Sequence, residues 1–103
     1  MPAEVAVRDE PERSRYEATV DGTLAGFAEY RDRDGVRIFT HTEVFDAFEG
    51  RGVGSALASG ALDAVDAAGG RIVALCPFIA AYIGRHPEYD ALVDEDLDRE
   101  LRH

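Results

Sequence analysis

The chain has no lysine, and that absence removes whole reaction classes. Schiff-base chemistry, pyridoxal-phosphate anchoring and the phosphate-gripping residue of a P-loop all need an ε-amine. Asparagine, glutamine and tryptophan are missing too. Cys76 is the only cysteine, so no internal disulfide can form. With His41, His86 and His103 it makes no metal-ligand spacing, and no metal site is expected. Positive charge is scarce: 11 arginines stand against 21 acidic residues, for a net charge of -10. A nucleic-acid-binding module needs a basic face, so that class is set aside. No apolar run approaches the ~20 residues of a membrane span. The first residues, Met-Pro-Ala-Glu-Val, lack the basic and apolar regions of a signal peptide. The expectation is a cytoplasmic protein without membrane contact. The acidity has two readings, GC-rich coding or a salt-loving host, and function depends on neither.

What is present suits one domain over residues 1–103. Apolar residues make up 46% of the chain, enough for a modest single core. Residues 4–8 read as a short strand, and 9–13 as a charged turn around Pro11. Residues 16–20 alternate, Asp21-Gly22 is a turn signal, and 23–31 completes a hairpin. A second turn, residues 32–35, leads into a longer strand over 36–45. Strict alternation there puts Val36, Ile38, Thr40, Thr42 and Val44 on one face, and Arg37, Phe39, His41, Glu43 and Phe45 on the other. A helix is expected over 55–68, with an apolar stripe of Val53, Leu57, Ala61, Ala64 and Ala68. Gly69-Gly70 ends it. Residues 71–76 hold a buried strand. Pro77 opens a second helix that stops at His86-Pro87. Residues 94–103 form a charged tail, helical or frayed. The fold class is mixed α/β: an antiparallel meander, then a right-handed parallel strand–helix–strand unit and a further helix.

Between the long strand and the first helix runs Glu49-Gly50-Arg51-Gly52-Val53-Gly54-Ser55. Glycines at a helix N-terminus let backbone N–H groups approach an anion, which the helix dipole also favours. A phosphate or pyrophosphate is the expected ligand. A P-loop would need lysine before Ser55, where Gly54 stands. A dinucleotide fingerprint would need a third glycine at Ser55 or Leu57. A flexible connector without a ligand is the bland alternative.

A third pattern fits the glycines. Gly50-Arg51-Gly52-Val53-Gly54 resembles the acyl-CoA loop of the GNAT superfamily of N-acetyltransferases, Gln/Arg-x-x-Gly-x-Gly/Ala. The first position differs, being Glu49 here, which leaves backbone contacts unaffected. His41-Thr42-Glu43-Val44 ahead of the loop, and Cys76-Pro77-Phe78, Tyr82 and His86-Pro87-Glu88-Tyr89 after it, resemble small single-domain members, the YjdJ-like branch. The likeness covers about residues 36–93. It implies a GNAT acyl-CoA N-acyltransferase fold, with acetyl-CoA wedged between splayed parallel strands and held by Gly50, Arg51, Gly52, Val53, Gly54 and Ser55. It also implies transfer of acetyl to a small amine or protein amine. The N-terminal helical region that usually shapes the acceptor pocket has no counterpart in the chain.

Acetyl transfer needs a neutral amine, a polarised carbonyl and a stabilised leaving thiolate. Cys76 stands at the N-cap of the second helix, where the dipole favours a thiolate. It is a candidate acid, or a transient acetyl acceptor; a plain buried cysteine is the alternative. His41 and Glu43, two apart on a strand, share a face and are candidate bases. Tyr82 is a candidate proton donor to the CoA sulfur, or a core aromatic. Arg51 is the first choice for a phosphate partner, with Arg71 and Arg85 behind it. The reading is an acetyl-CoA-dependent N-acetyltransferase. Its rivals are a non-catalytic acyl-CoA-binding module and an interaction domain whose glycine loop is only structural.

Overall fold

The computed structural model describes residues 5–102. Glu4, the expected first residue of the opening strand, and His103 lie outside that range. Five strands form one sheet in chain order: β1 (Val5–Glu10), β2 (Arg15–Val20), β3 (Thr23–Arg33), β4 (Val36–Val44) and β5 (Arg71–Ala74). The first four pair antiparallel, and β5 joins β4 in parallel. The crossover is α1 (Val53–Ala67). After β5 come α2 (Pro77–Arg85), a 3₁₀ segment (Pro87–Leu92) and α3 (Glu95–Leu101).

Two Asp-Gly pairs build the hairpins. Asp21 and Gly22 both take positive φ, at 50° and 82°, and so do Asp34 and Gly35, at 51° and 80°. Paired positive φ matches the right-handed twist of flanking strands. The second turn is therefore narrower than residues 32–35, and β3 runs on to Arg33. β1 is likewise longer than expected, ending at Glu10 before a 3₁₀ turn over Pro11–Arg13.

β4 departs from the strict alternation expected over residues 36–45. Glu29 pairs with His41 but Tyr30 pairs with Phe39, so Thr40 is an extra residue. This bulge flips the alternation beyond it. Phe39 packs in the main core, and Ile38 and Val36 pack on the opposite face. Beyond Thr40, Val44 packs against the main core and Thr42 reaches Cys76. His41 and Glu43 consequently share the outer face with Val36 and Ile38.

α1 lies on the inner face over β1, β2 and β3. Its buried stripe is Val53, Leu57, Ala58, Ala61, Leu62 and Val65. Ala64 and Ala68 are exposed, contrary to expectation, because Leu62 and Val65 bury more area and rotate the stripe toward themselves. Small residues let the helix sit close: a β-carbon on Gly60 would lie 3.0 Å from Val7. Among the described residues, the outer face is covered at one end. There Leu97 and Leu101 of α3 pack on Val36, Ile38 and Val73, so the charged tail is an ordered helix. Asp94 caps it, Oδ1 accepting from Leu97 N–H at 3.0 Å. The same segment shields the free edge of β5. Asp94 N–H donates to the Ile72 carbonyl at 2.9 Å, and Arg102 Nη2 donates to that of Ala74 at 2.7 Å. These bonds satisfy edge groups that would otherwise template another strand.

Candidate active site

The parallel pairing of β4 with β5 stops at Phe39–Ala74. The Phe39 carbonyl then accepts from the N–H of both Leu75 and Cys76, at 3.0 Å each. From there the chain turns into α2, while β4 continues through Thr40 to Val44. The two strands therefore stop pairing beyond Phe39 and Ala74.

The glycine loop lies next to this parting, with Gly54 against Phe78 of α2. Gly50 and Gly52 take φ of 78° and 76°, a region that a side chain at these positions would strain. Gly52 is the N-cap of α1, and no side chain caps that end. Its carbonyl accepts from Ala56 N–H at 3.0 Å, so the helix begins at Val53, two residues before the expected Ser55. The first-turn N–H groups have no partner within the helix. Gly54 is glycine for another reason. A β-carbon there would lie 2.6 Å from Cζ of Phe78. That ring ties the first turn of α1 to the first turn of α2, at the point where β5 leaves β4. Among the described residues, Phe78 and Leu75 are the large apolar side chains left exposed, each 37%. Arg51 is exposed and lies over the Phe48 ring, 5.7 Å from its centroid.

Cys76 is the N-cap residue of α2, as the sequence implied. Its side chain is 3% exposed, and Sγ donates to Thr42 Oγ1 at 3.2 Å. Thr42 escaped sequence reasoning, because strict alternation put it on the other face. His41 and Glu43 come together, Nε2 to Oε1 3.5 Å, with both side chains about half exposed. They flank Thr42 in the strand and so point to the opposite face from the thiol. The site therefore has two sides: a buried thiol within, an imidazole–carboxylate pair without.

Tyr82 is buried in the main core and stacks on His86, centroids 4.1 Å apart. His86 is thus a packing partner at the helix end. Tyr89 donates to Asp63 Oδ1 at 2.8 Å, which pins the 3₁₀ segment to α1. Burial, then this carboxylate, pushes the Tyr89 phenol well above its ordinary range. Arg71 does not face the loop. It donates to the Ala91 carbonyl at 2.8 Å, holding the segment that guards β5.

A second polar cluster lies at the far end of the sheet, joined by residues far apart in the chain with no motif to mark it. Arg37 forks onto Asp32, at 2.8 and 2.9 Å, and donates to Tyr16 Oη at 2.8 Å. Its guanidinium lies 3.8 Å from the Tyr30 ring centroid, and Tyr30 donates to Asp9 Oδ1 at 2.6 Å. Burial raises the Tyr30 phenol, and the Asp9 bond raises it further. Every charge in this cluster has an internal partner, so it ties β1 to β3 and β4.

The five-strand sheet ends its parallel β4–β5 pairing at Phe39–Ala74, and the glycine-led start of α1 lies beside that point. The family model described as GCN5-related N-acetyl-transferase matches residues 15–92. The chain belongs to that family. Membership carries a general acetyltransferase role, and the match takes in the sheet from β2 onward, the loop, Cys76 and Tyr82. No curated protein matches the chain. Among the described residues no group of three or more histidine, cysteine or acidic side chains is placed to hold a metal ion, and no helix is long and apolar enough to cross a membrane.

Proposed function

We propose that the chain transfers an acetyl group from acetyl-CoA to an amine. The observation that carries this reading is the uncapped, glycine-led start of α1 beside the parting of β4 and β5. A pyrophosphate suits the free N–H groups of residues 52–55, and Arg51 adds a cation without a long reach. The thioester would then extend along the open half of β4. Likeness in Cys76-Pro77-Phe78 and His86-Pro87 supports the small YjdJ-like branch.

In the transfer the amine nitrogen attacks the thioester carbonyl carbon and a C–N bond forms. The tetrahedral species collapses, the C–S bond breaks, and CoA leaves as thiolate. His41 takes the amine proton, directly or through water, and Glu43 orients the imidazole from 3.5 Å. The thiol of Cys76 lies on the inner side, and its proton, held on Thr42 Oγ1 in the free protein, would turn to the leaving sulfur. Its burial at 3% and its place across β4 from His41 favour direct transfer over an acetyl-Cys76 relay. Tyr82, stacked in the core, fits a wall better than a proton donor. The net charge of -10 draws cationic acceptors toward the site, an attraction that salt would weaken.

Calorimetric titration with acetyl-CoA, with CoA and NAD as controls, tests the cofactor. Binding of acetyl-CoA and CoA but not NAD supports the reading; no binding of either sinks it. A Cys76→Ala, His41→Ala double variant then separates an enzyme from a binding module. Binding should persist and turnover should vanish.

A further inference from the structure

Phe78 is a large ring that the fold does not use for its core. It belongs to neither core cluster and is 37% exposed, although Ile79, Tyr82 and Ile83 of the same helix are buried. Across the chain it meets Gly54 end-on. A β-carbon on Gly54 would lie 2.6 Å from Cζ, 3.2 Å from Cε2 and 3.5 Å from Cε1. Gly54 lies within α1 and does not take positive φ, so its backbone has no need of glycine, which weakens a helix relative to alanine. What demands the glycine is the ring. An exposed aromatic and a glycine inside a helix both depart from what stability favours, and the two departures meet at one contact. Such departures gather at functional sites.

The contact lies between the two ends of the acyl-transfer site. Gly54 belongs to the loop whose N–H groups suit a pyrophosphate. Phe78 follows Cys76, the N-cap of α2, by two residues, and the Cys76 thiol is bonded to Thr42 on β4. A carrier with its phosphates on residues 52–55 and its sulfur beside Cys76 therefore passes from Gly54 to the start of α2, and Phe78 stands on that path. In CoA the piece between those ends is the pantetheine arm, which carries methylenes and a gem-dimethyl carbon between its amides. Those apolar parts gain from a surface that takes them out of water. The loop offers glycines, an arginine and a serine; the ring offers apolar area.

We infer that Phe78 holds the arm of the acyl carrier. The free surface of the ring lies along the arm, and the ring tip, seated on Gly54, fixes the ring relative to the phosphate loop. The inference rests on the acetyl-transfer reading and deepens it. It gives one side chain the preference for a pantetheine-bearing carrier over a bare nucleotide, and it gives Gly54 its reason.

The test is titration of the full chain, and of its Phe78→Ala and Phe78→Leu variants, with two probes. One is acetyl-CoA; the other is 3′-phospho-ADP, the nucleotide end of CoA without its arm. Phe78→Ala should weaken acetyl-CoA about tenfold and leave 3′-phospho-ADP unchanged. Phe78→Leu keeps an apolar surface and should recover most of that loss. In transfer assays Phe78→Ala should raise KM for acetyl-CoA about tenfold and leave kcat within about twofold, as loss of uniform binding does. A Phe78→Ala chain that holds acetyl-CoA as tightly as wild type makes the ring a brace between two helices and overturns this inference alone. So does an equal loss of both probes in both variants, or a fall in kcat at unchanged KM. A wild-type chain that binds no acetyl-CoA overturns the transfer reading, and this inference falls with it.

Discussion

The thiol of Cys76 donates to the hydroxyl of Thr42 across 3.2 Å, and this bond joins the end of β5 to the open half of β4. Cys76→Ala removes one buried atom and should cost about 1 kcal/mol in urea unfolding. Thr42→Val keeps the shape but strands a buried donor, again for about 1 kcal/mol. Because each removes the same bond, the double variant should cost at least about 0.5 kcal/mol less than the sum. In transfer assays Cys76→Ala should retain acetyl-CoA affinity and lose turnover. Full turnover in that variant would leave the thiol a packing group.

Two glycines should answer alanine differently. At Gly26 the new β-carbon would lie 2.5 Å from the backbone carbonyl oxygen of Glu43, which cannot move without shifting β4. Gly26→Ala should destabilise by about 1–3 kcal/mol. At Gly54 the obstacle is the tip of an exposed Phe78 ring. Alanine gains up to about 1 kcal/mol of helix propensity there, which offsets displacement of the ring. Gly54→Ala should leave stability within about 0.5 kcal/mol, and should stabilise by about 1 kcal/mol in a Phe78→Ala background. Denaturant titration of the four variants reads this directly.

The hairpins and the loop were legible because their chemistry is local. Asp-Gly supplies paired positive φ, and alternating glycines before a helical pattern announce a bare N-terminus. The bulge at Thr40 was not legible. An added threonine in a strand looks like any other strand residue, and what makes it a bulge is the register with Glu29 and Tyr30 on the partner strand. That single residue moved Thr42 to the inner face and separated the thiol from His41 and Glu43. The α3 helix was partly legible: Leu97 and Leu101 are four apart behind an Asp94 cap. Its place was not, because the face it covers is set by the flipped half of β4.

Because α3 is the outer cover of that end, its loss should be local. Leu97→Ala should cost about 1–2 kcal/mol, less than a fully buried leucine, since the side chain is only partly covered. Hydrogen exchange should rise first at Asp94–Arg102 and at β5, whose outer carbonyls depend on Asp94 N–H and Arg102. Exchange across β2 and β3 should stay slow. Uniform acceleration through the whole sheet would show that α3 belongs to the same cooperative unit.

Acid should expose two carboxylates held by arginine. The Arg15 bond, with help from Arg13, holds Glu17 below its ordinary value of 4.5, and the Arg37 fork holds Asp32 below 3.8. Each is depressed on folding, so each adds stability above the ordinary value and loses it as pH falls through the folded value. Asp32 is about half exposed, and pairs of this kind contribute about 0.2–1 kcal/mol. Protonating other carboxylates on a chain of charge -10 relieves repulsion and acts in the opposite direction. Wild type alone therefore gives a mixed curve, and the difference from a Glu17→Gln, Asp32→Asn double variant isolates the pairs. That gap should be full at pH 6, narrow progressively below 4.5, and close once both carboxylates are protonated. A gap that stays constant to the acid limit would mean the arginines do not hold these groups in their charged form.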